Sequence, residues 1–318
     1  MHTALDLEKP RLVSIETTNR CNAHCSFCPN NALARERLTM DQALFEKIIE
    51  DCQQFPLPAI EPFLNGDPFM DPDIVGRMFY IRERLPKTKL RLYTNGSLMT
   101  STKLDQMEGL GIDHLFISLN TLNPDDYRRI LRLNLENTKT NIEALATRAT
   151  RRGIARQVTV RMTRFDHTTL QEQDDFLAYC KKLNVNPMIV GLFNYKGDIP
   201  SNYPVPPYPC EHITRLDILS SGRVTLCCLD QEGEYSWGDI RESNVLDVFN
   251  GAKARYYKTR HRSGLRKKTP PCGQCNLFWP SFSQMTPLRT LQVMFQCSSY
   301  FLRYRPNGRK APSIKEAP

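Results

Sequence analysis

Three cysteines near the N-terminus, Cys21, Cys25 and Cys28, follow one another with the spacing C-x3-C-x2-C. Three thiolates this close together can bind one face of a metal site. Structural zinc normally takes four ligands, and the nearest further candidate, His24, lies between two of the cysteines, where its geometry is awkward. A four-iron cluster bound by three cysteines would leave one iron free to bind another ligand. The spacing favours such a cluster over zinc and over three unligated structural thiols.

Five further cysteines lie in the second half of the chain: Cys210, Cys227, Cys228, Cys272 and Cys275. Adjacent residues of a strand point to opposite faces, so we expect only one of Cys227 and Cys228 to bind a metal. The last two form a C-x2-C pair. Zinc bound by that pair and two distant cysteines is an alternative to an iron–sulfur cluster that spacing alone leaves open.

The composition is ordinary for a globular protein: the 318 residues are 40% hydrophobic and 24% charged. No stretch approaches the roughly 20 apolar residues of a membrane helix, and the N-terminus lacks the apolar core of a signal peptide. We therefore expect neither membrane spanning nor secretion, and we expect a cytoplasmic location. In a cytoplasmic chain, eleven cysteines indicate bound metal or clusters rather than disulfides.

Positive charge is concentrated at the C-terminal end. The formal net charge is +9, and residues 251–318 alone contain 14 Lys and Arg against the single acid Glu316. Any affinity for a polyanion would belong to this quarter. A zinc-bearing nucleic-acid-binding protein that uses the basic segment His261–Lys268 is a remote alternative, because basic runs are usually solvated and this one has few aromatics for base stacking.

The elements around these residues alternate between strand and helix. Short runs rich in Val, Ile, Leu and Phe predict six strands: Leu12–Thr17, Ala59–Leu64, Lys89–Tyr93, His114–Leu119, Gln157–Met162 and Pro187–Leu192. Helical patterns between them cover Met40–Gln53 (with Thr39 as its N-cap), Asp73–Leu85, Thr102–Leu110, Asn137–Arg151 and Thr169–Leu183. Six βα units in series predict an α/β fold with a parallel sheet, either open or curled into part of a barrel. Loops at the carboxyl ends of its strands would build the site.

The pattern changes after Asn194. We assign residues 1–196 to the partial barrel and the proline-rich residues 197–209 to a linker. Residues 210–285 predict a small α+β domain, with a hairpin (Arg215–Leu219 and Val224–Cys228) and a helix over Val245–Arg260. Residues 286–318 predict a C-terminal helix, near 288–301, and a basic tail.

The N-terminal cysteine motif has a known counterpart. The run CNAHCSFC, with the aromatic Phe27 before its last cysteine, resembles the C-x3-C-x2-C motif of radical S-adenosylmethionine (SAM) enzymes. The resemblance covers roughly residues 10–195 and implies a partial (β/α)6 TIM-type barrel, in which the open iron chelates the amino and carboxylate groups of SAM. One-electron reduction then cleaves SAM to a 5′-deoxyadenosyl radical, which abstracts hydrogen from the substrate, while the protein positions the cofactors.

The same resemblance implies SAM contacts in the loops that follow the strands. The family often has Gly-Gly-Glu-Pro after its second strand, where this chain has Asn-Gly-Asp-Pro, so a shorter acid would hold the SAM amino group. Arg161 is a candidate partner for the SAM carboxylate, and an arginine paired at the surface is the alternative. The residues implied to bind SAM are Phe27, Asn65, Gly66, Asp67, Thr94, Asn95, Ser118, Asn120 and Arg161.

The second cysteine set resembles the SPASM/twitch extension of some radical SAM enzymes. Its pattern C-x11-G-x4-C runs from Cys210 through Gly222, which permits a tight turn, to Cys227, and the C-x2-C pair follows. No cysteine occurs in the next residues, 276–281, which implies the truncated, or twitch, form. The resemblance implies an auxiliary [4Fe–4S] cluster on Cys210, Cys227, Cys272 and Cys275, with Cys228 as the alternative to Cys227. Two [4Fe–4S] clusters per chain are expected.

These resemblances imply an oxidoreductase similar to twitch enzymes of the 2-deoxy-scyllo-inosamine dehydrogenase type. It would oxidise a small polar substrate (a sugar, aminocyclitol or alcohol), with the auxiliary cluster accepting the electron and flavodoxin or ferredoxin as the external donor. A thiol such as Cys228 could instead return a hydrogen atom, which would make the enzyme an epimerase. Peptide modification is the other alternative. Relatives of that kind often carry a leader-peptide-binding domain before the barrel, whereas the first strand here is predicted near residue 12.

Overall fold

The computed structural model describes residues 7–165, 167–191, 194–198 and 205–277, with isolated positions between 287 and 295. Most of the predicted C-terminal helix, the basic tail and residues 199–204 of the predicted linker lie outside the described residues. None of the described helices is long and apolar enough to cross a membrane.

Six parallel strands follow one another across the sheet in chain order: β1 (Leu12–Ile15), β2 (Ala59–Glu61), β3 (Lys89–Thr94), β4 (His114–Ser118), β5 (Val158–Arg164) and β6 (Asn186–Gly191). The helices between them are α1 (Gln42–Gln53), α2 (Ile74–Arg84), α3 (Ser101–Gln106), α4 (Pro124–Leu131), α5 (Leu135–Arg148) and α6 (Leu170–Lys182). Crossovers of one hand between neighbouring strands place the helices on one face of the sheet. The predicted partial (β/α)6 barrel is confirmed.

The two faces of this sheet differ in polarity. Ile60, Leu92 and Val160, on β2, β3 and β5, are fully buried in the core that the sheet forms with the helices. Because side chains alternate along a strand, the residues next to them point to the opposite, inner face. Those residues are Glu61, Tyr93 and Arg161. The inner face therefore carries polar and charged groups, while the outer face is apolar.

Three C-terminal strands continue the same sheet: β7 (Arg215–Ile218), β8 (Arg223–Thr225) and β9 (Gly238–Asp239). The predicted hairpin is formed by β7 and β8, and β7 pairs in parallel with β1 so that Leu12 lies opposite Arg215. Gly222 makes the turn with a φ of +94°, which favours glycine. Strand β8 ends at Thr225 rather than at the predicted Cys228, so Cys227 and Cys228 lie in the turn that follows it.

Two local predictions were wrong in detail, and one helix was missed. Asp41, not Thr39, caps α1, because its carboxylate accepts the Leu44 N–H at 2.9 Å. The helix predicted over Val245–Arg260 is two helices, α7 (Val245–Phe249) and α8 (Ala252–Arg262), which are separated at Asn250 and Gly251. Helix α4 was not predicted at all, since it is short and polar, although Asn123 caps it and Pro124 occupies its first turn.

Candidate active site and auxiliary cysteine site

The cysteine loop follows β1 and is held in place by α4. Two of its backbone N–H groups, at His24 and Ser26, donate to carbonyl oxygens at the C-terminal end of α4, at 3.0 and 2.8 Å. Within the loop, the Cys28 N–H donates to the Cys25 carbonyl oxygen at 3.0 Å. The helix that the sequence pattern missed is therefore part of the support for the cysteine motif.

The three thiols of this loop are partly buried and close enough to repel one another when ionised. Burial raises the pKa of Cys21 to about 12, and burial together with the charge of Cys28 raises the pKa of Cys25 well above its usual value. Thiols in this setting become thiolates beside a cation, which is what a bound iron centre supplies. His24 is exposed. The donor set therefore fits a cluster held by three thiolates.

Asp67 joins the loop after β2 to the loop after β3. Its carboxylate accepts hydrogen bonds from the Thr94 hydroxyl at 2.9 Å and the Asn95 N–H at 2.8 Å. Asp67 is 1% exposed, and burial raises the pKa of its carboxyl group. Gly66 has a φ of +77°, and a Cβ there would lie 2.5 Å from the Arg20 carbonyl oxygen, so glycine lets this loop approach the cysteine loop. The loops predicted to bind SAM are thus packed against the cysteine motif.

Asn95 extends this contact to the first cysteine. Its side-chain amide donates to Asn22 Oδ1 at 2.9 Å and lies 4.0 Å from the Cys21 sulfur. The Asn22 amide in turn donates to the Ser97 hydroxyl at 2.8 Å. Asn95 was predicted from the sequence, but Asn22 and Ser97 were not, because an asparagine and a serine near a turn carry no distinctive signal.

Glu16, at the end of β1, is fully buried and binds four segments together. Its carboxylate accepts two hydrogen bonds from the Arg35 guanidinium, at 2.7 and 2.5 Å, one from the Asn65 amide at 2.7 Å and one from the Ser220 N–H at 3.0 Å. The amide donor of Asn65, a residue predicted to bind SAM, is therefore engaged by Glu16. This role could not be predicted from the sequence, since Glu16 and its three partners are far apart in the chain.

Arg161 lies on the inner face beside the other predicted SAM contacts. It is directly opposite Ser118 on β4, and its carbonyl oxygen accepts the Asn120 N–H at 3.0 Å. The guanidinium lies 5.7 Å from the centre of the Tyr93 ring. Its Nε is buried and has no hydrogen-bond partner among the described residues. A buried donor of this kind fits the carboxylate of a bound SAM.

Two aromatic side chains lie near the cysteine loop. Phe27, inside the motif, contacts Phe165 with ring centres 5.3 Å apart. Tyr195 packs against both hydrophobic clusters of the molecule, one of which contains the auxiliary cysteines. Burial raises the pKa of Tyr195, and the charges of Cys28 and Cys228 raise it further. Tyr195 is therefore within electrostatic reach of both cysteine regions. This position of Tyr195 was not predicted from the sequence.

Four of the C-terminal cysteines line one small cavity: Cys210, Cys227, Cys272 and Cys275. They are the four residues that the family resemblance implies as ligands, and their chemistry fits an iron–sulfur cluster. Cys228 is not in that lining and its sulfur lies 3.7 Å from His212 Nδ1. Within the described part of the chain, no three His, Cys, Asp or Glu side chains are arranged to hold a single metal ion.

Arg266 and His261 are buried beside this cavity and were not predicted there. Arg266 is 1% exposed and donates to the carbonyl oxygens of Tyr208, Cys275 and Leu277, at 3.3, 3.2 and 2.9 Å. Burial and the charge of Arg266 lower the pKa of His261 to about 3, so its neutral ring accepts the Cys210 N–H at 3.1 Å. The segment 261–268, considered above as a nucleic-acid-binding run, is therefore partly internal.

Two family models match this chain. Residues 15–180 match the model of the radical SAM superfamily. This chain belongs to the radical SAM superfamily. Residues 210–276 match the model of the SPASM iron–sulfur cluster-binding domain. The chain is therefore a radical SAM enzyme that binds SAM and iron–sulfur clusters, and both resemblances drawn from the cysteine motifs are confirmed.

Among curated relatives, the S-adenosyl-L-methionine-dependent 2-deoxy-scyllo-inosamine dehydrogenase of Niallia circulans is 22% identical over 272 residues, which are 83% of this chain and 92% of that protein. A tungsten-containing aldehyde ferredoxin oxidoreductase cofactor-modifying protein of Pyrococcus furiosus is 31% identical over 109 residues, 34% of this chain and 30% of that relative. The similarity to the dehydrogenase thus extends along most of both chains, whereas the second is local.

Two solved structures show the same fold. BtrN in complex with AdoMet and 2-DOIA has a TM-score of 0.61 at 19% identity and covers 88% of this chain and 98% of its own. Streptococcus suis SuiB bound to precursor peptide SuiA has a TM-score of 0.67 at 14% identity and covers 85% of this chain and 70% of its own. Both likenesses include the radical SAM barrel and support the α/β assignment.

Proposed function

We propose that this radical SAM enzyme is a cytoplasmic dehydrogenase of a small polar molecule, a sugar, an aminocyclitol or an alcohol. The SAM-binding [4Fe–4S] cluster would be held by Cys21, Cys25 and Cys28. A second [4Fe–4S] cluster would be held by the four cysteines that line the C-terminal cavity. When bound, these groups supply a 5′-deoxyadenosyl radical that removes hydrogen from an unactivated C–H bond, and an acceptor for the electron that is left.

The observation that carries this proposal is that Tyr195 packs against both hydrophobic clusters, the large one that Cys25 also contacts and the small one that contains Cys210 and Cys275. The charges of Cys25, Cys28, Cys228 and Arg161 all act on the Tyr195 hydroxyl. A substrate bound beside Tyr195 would lie between the two regions. Buried charged side chains suit a polar substrate, because each can pair with a substrate group that would otherwise lose its hydration.

The chain's own residues would bind and orient SAM and shield the cluster loop from water. Arg161 would donate to the SAM carboxylate, and Asp67 would hold the two neighbouring loops in register for the SAM amino group. Phe27 and Phe165 would exclude water from the cluster loop. Cys228 marks the alternative outcome, in which its S–H returns a hydrogen atom to the substrate and the enzyme is an epimerase.

The relationship to the Niallia circulans dehydrogenase supports the oxidative alternative. The alignment covers 83% of this chain and 92% of that enzyme, whose name describes a SAM-dependent dehydrogenase of 2-deoxy-scyllo-inosamine. For this chain, oxidation of an alcohol carbon would transfer one hydrogen atom to the 5′-deoxyadenosyl radical, which becomes 5′-deoxyadenosine, and would release one proton and one electron. Flavodoxin or ferredoxin is the proposed external donor of the electron that starts each turnover.

The proposal is tested with anaerobically reconstituted protein, reduced flavodoxin or dithionite, SAM, and a panel of sugars and aminocyclitols that includes 2-deoxy-scyllo-inosamine. We expect one member to increase 5′-deoxyadenosine formation and to yield an equal amount of carbonyl product, measured by mass spectrometry. An epimer of the substrate in place of the carbonyl product would reassign the enzyme as an epimerase. Stimulation by a precursor peptide and by no small molecule would favour peptide modification.

A further inference from the structure

A second group of charged side chains on the inner face includes none of the predicted SAM contacts. Ser14 on β1 is directly opposite Glu61 on β2 and Asp217 on β7, so all three side chains point to the same face. The Ser14 hydroxyl donates to Glu61 Oε1 at 2.8 Å, and the Arg215 guanidinium donates to the same oxygen. Two carboxylates and one guanidinium therefore come together on the inner face.

The two carboxylates are not fully paired. Glu61 is 4% exposed and Asp217 is 1% exposed. Glu61 Oε2 and both Asp217 oxygens have no hydrogen-bond partner among the described residues, and the nearest His212 nitrogen is 3.9 Å from Asp217 Oδ2. Burying carboxylate oxygens without partners is costly, so an arrangement of this kind is expected to serve a ligand.

The group holds two carboxylates against one guanidinium. Burial would raise the pKa of Asp217, but its interactions with His212 and Arg215 outweigh burial and lower it, so the carboxylate is ionised at neutral pH. Arg215 donates to Glu61 Oε1, so Glu61 Oε2 and both Asp217 oxygens remain without a hydrogen-bond partner among the described residues. Arg161, the other cation of the inner face, is assigned to the SAM carboxylate in the proposed function.

The group is within electrostatic reach of a predicted SAM contact and of the C-terminal cysteines. The charges of Glu61, Arg161 and Arg215 all act on the Tyr93 hydroxyl, and those of Asp217, Arg215 and Glu61 act on Cys228. The Tyr93 ring stacks on Phe116 with centres 4.3 Å apart, and Phe63 stacks on Tyr93 at 5.4 Å. The inner face thus combines stacked aromatic rings with a carboxylate-rich group.

We propose that Glu61 and Asp217 bind a primary ammonium group of the substrate, so that the enzyme acts on an amino-bearing polyol rather than on a neutral one. An ammonium group has three N–H donors and would satisfy the three unpartnered carboxylate oxygens. Arg215 and the Ser14 hydroxyl orient Glu61 for this contact. The inference rests on the proposed function and specifies its substrate class.

The first test uses the wild-type enzyme and matched pairs of probes: 2-deoxy-scyllo-inosamine against the polyol in which a hydroxyl replaces the amine, and glucosamine against glucose. We expect the amine of a pair to support 5′-deoxyadenosine formation with a KM roughly 10- to 150-fold lower than its neutral counterpart, the range for charge-assisted hydrogen bonds. Equal KM values within the pairs would overturn the inference. So would the absence of any response to an amine in an enzyme that cleaves SAM.

The second test compares Glu61→Gln and Asp217→Asn with Glu50→Gln, a change on the exposed side of α1. Each of the first two is expected to raise the KM for the amine about 10-fold or more and to leave the KM for the neutral probe nearly unchanged. A purely structural ion pair would instead lower stability and affect both probes alike, which would also overturn the inference. Failure of the proposed function is seen separately, as a wild-type enzyme that forms no oxidised product with any probe.

Discussion

The two cysteine regions differ in how the chain assembles them. Cys21, Cys25 and Cys28 lie on one short loop and are all partly exposed, whereas the four cysteines of the C-terminal cavity come from three segments, and two of them, Cys210 and Cys275, are each 7% exposed. A site with three protein ligands can accept an outside ligand, whereas a closed site with four serves structure or electron transfer. In the proposed function, this difference would place SAM at the N-terminal loop and the electron acceptor at the C-terminal cavity.

The largest effect is expected when the three-cysteine site of the N-terminal loop is removed. The triple variant Cys21→Ala, Cys25→Ala, Cys28→Ala should lose all reductive SAM cleavage and about half of the roughly eight irons expected for two [4Fe–4S] centres. Iron and sulfide analysis and 5′-deoxyadenosine formation measure the two effects. The control is Cys52→Ala together with Cys180→Ala, since both residues are fully buried on α1 and α6, away from either site. SAM cleavage retained by the triple variant would contradict the assignment.

Loss of the closed site should have a different signature. Cys227→Ala should remove the other half of the iron and stop product formation, while 5′-deoxyadenosine is still formed, because the N-terminal loop is intact. Cys228→Ala is the matched control, since its sulfur is not in the cavity lining. It should keep the iron and, for a dehydrogenase, keep its product.

Two outcomes of that pair would change the assignments. Iron lost from Cys228→Ala but not from Cys227→Ala would exchange the roles of the two cysteines. Product lost from Cys228→Ala with full iron content and continued 5′-deoxyadenosine formation would identify a hydrogen-atom donor, and so an epimerase. Stoichiometric zinc with little iron in the wild-type C-terminal site would remove the auxiliary cluster altogether.

Asp67 tests whether the N-terminal site relies on the loops beside it. The C-terminal site has a fourth cysteine as a ligand, whereas the N-terminal site would need these loops to hold SAM. Asp67→Ala deletes the acceptor for the Thr94 hydroxyl and the Asn95 N–H. A charge-assisted hydrogen bond is worth about 1.5–3 kcal/mol, so SAM affinity should fall roughly 10- to 150-fold with both clusters retained. Equilibrium binding of SAM measures this. Asp73→Ala is the control, since Asp73 is exposed and makes no side-chain cap. Unchanged affinity would make Asp67 a plain loop residue.

The smallest expected effect concerns the link between the two regions. Glu232, in the turn beyond β8, accepts the N–H groups of Ala34 and Arg35 at 2.7 and 3.1 Å, which holds the far side of the cysteine loop. Glu232→Ala should lower the free energy of unfolding by about 1 kcal/mol and Tm by about 2 °C. Thermal unfolding of the apo protein measures this against Glu234→Ala, an exposed neighbour. An identical Tm in both variants would mean that this link contributes nothing.

The parts that could be predicted from sequence are those that repeat locally or lie close together in the chain. Short runs rich in Val, Ile, Leu and Phe identified six strands within a few residues of their ends, and the C-x3-C-x2-C spacing identified the family. By contrast, Glu16 and Arg266 gave no signal, because a buried charge is recognised only by partners that the fold brings from elsewhere. The pairing of β7 with β1 was missed for the same reason, since it joins residues about 200 positions apart.

That pairing also sets the order in which the molecule can be completed during synthesis. At about 5–20 residues per second, β7 leaves the ribosome roughly 10–40 s after β1. Until then one edge of β1 has unpaired backbone groups and is open to pairing with another nascent chain. Ser220 and Glu232, which hold Glu16 and the cysteine loop, emerge later still. The N-terminal cysteines are therefore translated first but reach their final geometry only with the last third of the chain, so we expect iron loading to follow translation.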